Sequence, residues 1–419
     1  MDILRFLTAG SVDDGKSTLI GRLLYDSNSL LDDQLEAITK ASSLKSDKEL
    51  DLALFTDGLK AEREQGITID VAYKYFQTKQ RKFIIADCPG HIQYTRNMVT
   101  GASNSDVALI LLDARKGIVE QTKRHTAIAA FFGIKHFVVC INKMDLVAYQ
   151  EDAFHKIKEE YLILAKSLGI SSLFFIPMSA TQGENVVNGN NQMSWYKGQT
   201  LLELLETLPI KNLHNYEQKR FQVQYVIRPQ SEELHDYRGF AGQILSGVFK
   251  KGEKLKVFSS GQCTEIKEIE LPLDKTSEAY PPMSVTMELK DAIDISRGDM
   301  LVGAEENIIS SKIIRAFICW MDDKQRLSIK KRYVLQKYAQ QSKCYIEHIE
   351  NFFNIHKSTY EAPKEHLELN EMAEVLIRMS EATCWDTQEE NPKNAHFILI
   401  DEQSKQTVAA GVFKSFLEC

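Results

Sequence analysis

Long apolar runs are missing from this chain. No stretch of its 419 residues reaches the roughly 18 consecutive apolar side chains of a membrane-spanning helix, so no membrane span is expected. Paired cysteines are missing as well: the seven, at positions 88, 140, 263, 319, 344, 384 and 419, include no C-x-x-C and no metal-like spacing. Scattered thiols of this kind read as reduced groups in a cytoplasmic protein, which excludes a disulfide scaffold. Excess positive charge is also missing, since 51 Lys+Arg stand against 58 Asp+Glu, a net charge of −7. Nonspecific nucleic-acid binding needs dense positive charge, so no nucleic-acid partner is expected, although a local basic face stays open. The first apolar run is too short for a signal peptide. What remains is an ordinary globular composition, 43% hydrophobic and 26% charged, over a length that suggests about two to four domains.

The chain is organised around a loop near its start. An apolar run, Ile3-Leu-Arg-Phe-Leu7, reads as a short buried strand, and Leu19, Ile20, Leu23 and Leu24 are spaced like one face of a helix. Between them lies Gly10-Ser11-Val12-Asp13-Asp14-Gly15-Lys16-Ser17-Thr18, the phosphate-binding pattern in its required context of strand, loop and helix. Glycines let successive backbone N–H groups turn inward around phosphate oxygens, and the helix N-terminus adds its positive end. Lys16 is expected to supply a point charge to the β- and γ-phosphates, and Ser17 a hydroxyl to Mg²⁺.

Residues 26–66 form a long polar interval, with a short helix expected where Leu31, Leu35, Ile38 and Ala41 have helical spacing. So long a loop in a compact domain is usually functional. Its Glu/Arg-rich end reads either as a solvated helix face or as part of a switch loop. In the second reading Thr68, just before a strand at residues 71–76, closes over the γ-phosphate and completes the Mg²⁺ shell. A second strand at residues 82–86 runs into Asp87-Cys-Pro-Gly90-His91. There Asp87 is expected to hold Mg²⁺ through water, Gly90 N–H to bond the γ-phosphate, and His91 to orient the attacking water. Residues 87–104 then form a second switch.

A strand at residues 106–113, a helical stretch at 121–132 and a strand at 136–141 deliver Asn142-Lys143-Met144-Asp145. The Asp145 carboxylate is placed to accept from guanine N1–H and its exocyclic amine together, a donor pair that adenine lacks. Asn142 faces the purine's other edge and the Lys143 stem lies over the ring. A last strand at 173–178 ends in Ser179-Ala180, which back the base. Four motifs in order, each at the C-terminal end of an expected strand, imply a GTP-binding α/β domain with ligand at the strand ends.

Beyond residue 211 the pattern changes to short β runs, at 221–226, 239–245, 254–258, 264–270 and 283–289, separated by turn residues as in a small barrel. A second β module is expected over residues 312–419. Residues 311–343 carry nine Lys/Arg against two Asp, while 361–402 are mostly acidic. Alternation with apolar residues reads as solvated strand faces, with a partner-docking face as the alternative. The expected fold is an α/β P-loop GTPase domain, residues 1–211, followed by two small β-barrel domains, 212–308 and 309–419.

A GTPase domain followed by two barrels resembles the translational GTPases, the elongation-factor superfamily. Lys60-Ala-Glu-Arg-Glu-Gln-Gly-Ile-Thr-Ile69 and Asp87-Cys-Pro-Gly-His91 carry that likeness. One branch matches more closely, the GTPase subunit (large subunit, subunit 1) of bacterial heterodimeric sulfate adenylyltransferase. The residues are Gly10 to Asp26, Gln93-Tyr-Thr-Arg-Asn-Met98, Gln224-Tyr-Val-x-Arg-Pro229, Tyr237-Arg-Gly-Phe-Ala-Gly242 and Asp294-Ile-Ser-Arg-Gly-Asp299. The resemblance covers nearly the whole chain and is looser in the last module.

It implies a GTPase that drives a partner small subunit, which transfers the adenylyl group of ATP to sulfate, giving adenosine 5′-phosphosulfate and pyrophosphate. The chain holds no Ser-Gly-Gly-x-Asp-Ser loop and no His-x-x-His pair, so adenylation is assigned to that partner. Coupling requires switch loops that the partner reads, with residues 26–66 and 87–104 as contact candidates. Asp13 reads as a monovalent-cation ligand or as a solvated loop carboxylate. Ile92 stands where the family usually has an acidic residue. The family's short N-terminal extension and the kinase domain fused in some relatives are not expected here. The rival reading is an elongation-type GTPase that binds aminoacyl-tRNA; a stand-alone regulatory GTPase is a third.

Overall fold

The computed structural model describes residues 2–27, 52, 68, 70–189, 191–210, 214–229, 236–308 and 310–416. The expected helix at 31–41 and most of the first switch interval lie outside the described residues. The chain divides into two units, Met1–Ile210 with Phe353–Tyr360, and Lys211–Phe352 with Glu361–Cys419.

The first unit is built on a sheet whose described strands are β1 (Ile3–Ala9), β2 (Ala72–Gln77), β3 (Lys82–Asp87), β4 (Val107–Asp113), β5 (His136–Asn142) and β6 (Ser172–Pro177). Their order is β2-β3-β1-β4-β5-β6, with β2 antiparallel to β3 and the other neighbours parallel. A parallel sheet is covered on both faces, so its strands read as continuous apolar runs. β4 is the clearest case, with all seven residues buried.

Covering helices are α1 (Lys16–Asp26), α2 (Thr95–Ala102), α3 (Glu120–Phe131), α4 (Glu151–Ser167) and α5 (Leu201–Thr207). Leu19, Ile20, Leu23 and Leu24 of α1 join Phe6, Phe83, Leu109 and Val138 in one core. The start of α5 is fixed by a capping box, in which Thr200 N–H donates to Glu203 (2.9 Å) and Glu203 N–H to Thr200 (3.3 Å). Strand order turns between β3 and β4 around β1. This switch point opens a crevice at the strand ends, where Gly10, Asp87, Asp113 and Asn142 all sit.

The second unit contains two closed rings of six strands. In the first, β7 (Arg220–Ile227), β8 (Gly239–Ser246), β10 (Lys254–Val257), β11 (Cys263–Glu270), β14 (Ser284–Leu289) and β15 (Met300–Gly303) follow the order β10-β15-β7-β8-β14-β11. The β10–β11 pairing closes it around Phe221, Phe240, Phe249 and Leu301. Closure removes the exposed sheet edges. The short strands β9 (Phe249–Lys250), β12 (Lys275–Thr276) and β13 (Glu278–Ala279) lie beside it.

The second ring runs β17-β21-β22-β16-β20-β18, from β16 (Ser310–Trp320), β17 (Arg332–Lys337), β18 (Gln340–Asn354), β20 (Met372–Cys384), β21 (His396–Asp401) and β22 (Thr407–Phe416), closed by β17–β18, with the short β19 (Thr359–Glu361) paired to β18. Its core holds Trp320, Tyr333, Phe397 and Phe413.

The sequence expectation of solvated basic faces holds for Lys343 and Arg326, which are mostly exposed, but fails at Lys337. Lys337 is 1% exposed, and its ammonium donates to Asn394 (2.8 Å) and to the Cys384 carbonyl. Beside it Arg220 pairs with Asp386 (3.0 Å) and Glu306 (2.7 Å), and Asn391 donates to Ser246 (3.1 Å). This satisfied polar network ties the two rings together. Burial lowers the Lys337 amine to about 8 despite Asp386 nearby.

Candidate nucleotide site

The loop after β1 is held from inside the chain. Ser11 N–H donates to the Asp14 carboxylate (2.6 Å), and Asp14 is buried, its pKa raised by desolvation against the pull of Lys16. Gly15 precedes α1 with φ +93°, and a Cβ there would come within 2.4 Å of the Asn142 amide nitrogen. Only glycine meets both demands. Helix α1 starts with neither a side-chain cap nor an acidic residue in its first turn. Its N-terminal dipole is therefore not neutralised by the chain's own side chains, the arrangement that suits an anion.

Lys16 is 7% exposed and its ammonium donates to Gly10 O (3.0 Å) and Ser11 O (2.7 Å). Burial lowers its pKa, while Asp87 and Asp14 oppose the shift. Val12, Asp13, Ser17 and Thr18 complete the loop, with Asp13 exposed at φ +68° and Ser17 half-buried.

Asp87 closes β3 fully buried and accepts from the Thr8 hydroxyl (3.1 Å). Gly90 approaches the loop so closely that a Cβ would stand 2.4 Å from Lys16 Nζ and 3.0 Å from Gly10 O. His91 is half-buried in extended backbone, and its Nδ1 accepts from Gln93 N–H (3.4 Å). Ile92 begins the following turn and is 45% exposed. Thr68 is half-buried; its neighbours on both sides in the chain, apart from Asp70 onward, lie outside the described residues.

The third group comes from β5 and the segment after β6. Asn142 is engaged at both ends of its amide, donating to Asp14 O (2.9 Å) and accepting from Ala180 N–H (2.9 Å). It therefore ties the phosphate loop to the Ser179-Ala180 segment, a different orientation from the expected one toward a purine edge. Lys143, at φ +62°, donates to Asp13 O and lies 3.2 Å from the Asp113 carboxylate. Asp145 is half-buried in the next turn, and Ser179 and Ala180 are buried.

Three further residues were not singled out from the sequence. Arg115 holds Asp113 through its backbone N–H (2.9 Å) and guanidinium (2.6 Å). Burial works against ionisation of Asp113, but Arg115 and Lys143 outweigh it and hold the carboxyl well below the usual range. Arg22 donates to Ala180 O (3.2 Å) and to Thr181 O. His125, wholly buried on α3, accepts Gly10 N–H (3.1 Å) at Nδ1. A signal for it existed: Gln121, Thr122, His125 and Thr126 place polar groups at helical spacing on a face the structure buries.

Residues 1–211 match the family model "Elongation factor Tu GTP binding domain", and residues 313–414 match "GTP-eEF1A C-terminal domain-like". The protein named Sulfate adenylyltransferase subunit 1 of Cellvibrio japonicus is 48% identical over 98% of this chain and 86% of its own length. The protein of the same name from Bacteroides fragilis is 45% identical, again over 98% and 86%. Among solved structures, the Saccharomyces cerevisiae Ski7 GTPase-like domain bound to GDP and inorganic phosphate shares the fold, with TM-score 0.54 and 17% identity over 99% of this chain and 97% of that one. On full-length similarity at this level, the chain belongs to the sulfate adenylyltransferase subunit 1 family.

Proposed function

We propose that this chain is the GTP-hydrolysing subunit of a sulfate adenylyltransferase. A separate small subunit joins ATP and sulfate into adenosine 5′-phosphosulfate and pyrophosphate, and GTP hydrolysis here drives that uphill step. The observation that carries the reading is similarity over nearly the whole chain, at 44–48% identity, to proteins named subunit 1 of this enzyme. The name itself supports a partner subunit. An elongation-type GTPase that binds aminoacyl-tRNA is the weaker reading, because it rests on domain-level matches alone.

In this reading the loop's backbone N–H groups beyond Ser11 surround the phosphates and Lys16 balances their charge. Asp145 selects guanine, the Lys143 stem covers the ring, and Ser179 and Ala180 back it. Asn142 keeps the phosphate and base ends of the site in register. Gly90 N–H bonds the γ-phosphate, and His91 orients the attacking water. The new P–O bond forms from that water, whose proton passes to the phosphate being released, while the β–γ bridging bond breaks and its electron pair leaves with GDP.

Among the described residues no group of three or more His, Cys, Asp or Glu could cage a metal. Ser17, Thr68 and Asp87 nevertheless offer the hard oxygen donors that Mg²⁺ prefers alongside phosphate oxygens and water. Bound there, Mg²⁺ supplies charge neutralisation at the β- and γ-phosphates. The domain limits we propose are 1–211, 212–308 and 309–419, and the setting is the cytoplasm, where both nucleotides are supplied.

The test is His91→Ala in the complex with its partner. GTP affinity should stay within about threefold, while GTP-supported pyrophosphate release falls by about 10²-fold or more. Unchanged turnover would remove His91 from the mechanism.

A further inference from the structure

Gly10 is the first residue of the phosphate loop, and its peptide groups are held from two sides. Its carbonyl accepts the Lys16 ammonium at 3.0 Å, and its N–H donates to His125 Nδ1 at 3.1 Å. The backbone there has φ +155°, and a Cβ would lie 2.7 Å from Leu111 O, so the chain passes through a tight slot beside β4. Among the described residues, no neighbouring strand supplies the acceptor for this N–H. It comes instead from a helix 115 residues further along the chain.

The imidazole is itself held. With Nδ1 accepting from Gly10, Nε2 keeps the ring proton, and it lies 2.7 Å from the Gln121 carboxamide, whose oxygen, turned toward the ring, is its acceptor. The same carboxamide stands 2.6 Å from the Arg124 guanidinium and 3.5 Å from the Thr95 hydroxyl at the start of α2. Arg124 in turn pairs with Glu120 (2.5 Å). A polar chain therefore runs from the surface end of α3, through its buried face, to the first peptide of the loop, with a branch to the helix that follows Gly90-His91.

We propose that His125 is a positioning residue for nucleotide binding: its Nδ1 fixes the Gly10 peptide, which sets where the Lys16 ammonium and the following loop amides point. This rests on the guanine-nucleotide reading above. The role demands a neutral ring with a bare Nδ1, because a protonated ring would turn a second N–H against Gly10 N–H. The surroundings enforce that state. Burial, Lys16 and Arg124 all disfavour the imidazolium, and the ring's pKa falls to about 3. A buried backbone donor left without its acceptor costs more than the bond itself contributes, so the loop would shift to recover a partner.

Two carboxamides separate this role from bulk packing. In His125→Asn the side-chain oxygen overlays Nδ1 and keeps the acceptor for Gly10. In His125→Gln the oxygen overlays Nε2 and faces Gln121 instead. The full chain, co-purified with its partner subunit, would be titrated with N-methylanthraniloyl-GTP and its release rate followed by stopped flow. His125→Asn should stay within about threefold of the parent, and His125→Gln should release the nucleotide at least about tenfold faster. Equal behaviour of the two variants, whether both intact or both impaired, would overturn the inference while leaving the nucleotide reading in place. Unlabelled ATP that displaces the bound GTP analogue as readily as unlabelled GTP does would overturn the guanine reading and this inference with it.

Discussion

The ammonium group of Lys143 lies 3.2 Å from the buried carboxylate of Asp113, one residue short of the tight turn that carries Asp145. Asp113 ends β4 and Lys143 follows β5, so adjacent parallel strands place the pair. Asp113→Asn keeps the shape and removes the charge that fixes the Lys143 stem. It should weaken GTP binding by about tenfold and destabilise the first unit by roughly 1–3 kcal/mol. Isothermal titration and urea unfolding read the two effects separately.

Gly90 leaves no room for a side chain beside Lys16. In Gly90→Ala the new methyl would stand 2.4 Å from the ammonium nitrogen, and Gly10 O and Ser11 C, each 3.0 Å away, block escape. Lys16 must then leave its two carbonyl partners. GTP hydrolysis should fall by about 10²-fold, the scale of losing one charge-stabilising donor, while the far-ultraviolet circular dichroism is unchanged.

Phe83 stacks on Phe76 with centroids 4.5 Å apart, and both meet Phe6 edge-on at 6.4 Å. All three are nearly or wholly buried. Phe83→Ala opens a cavity between the last antiparallel strand pair and β1, and should cost about 3–5 kcal/mol in urea unfolding.

His125 adds a pH dependence whose sign is fixed by the direction of its shift. The folded ring titrates near 3, against 6.5 for the free group, because of burial first and then Lys16 and Arg124. Between those values the unfolded chain binds a proton that the folded chain refuses. The contribution is thus fully present above pH 6.5 and is lost as pH falls toward 3. In His125→Asn this contribution is gone. The difference in unfolding free energy between parent and variant should change by about 1.4 kcal/mol per pH unit between about pH 6 and about pH 4, as measured by urea unfolding across that range.

The strands of the first unit were legible because burial on both faces leaves a continuous apolar run, as in β4 and β5. Asp87, Asn142 and Ser179 were legible because each ends or follows such a run. Helix α4 was missed although Phe154, Ile157, Tyr161 and Leu164 follow one helical face, all of them buried. In the last module β17, β18 and β20 did not separate from a charged background, since half of each strand faces away from the core. The contacts of Lys337 and His125 were illegible for a different reason, although the polar spacing on α3 marked His125 itself. Their partners, Asn394 and Gly10, lie 57 and 115 residues away, and no local pattern encodes a contact closed only by the tertiary fold.

Coupling of GTP hydrolysis at this site to sulfate activation by the partner is open to direct measurement. The most direct measurement follows sulfate-dependent pyrophosphate release from ATP by the co-purified complex, with and without GTP. A sharp rise with GTP that disappears in Lys16→Ala is the predicted result. A complex that hydrolyses GTP yet shows no sulfate-dependent release would contradict it.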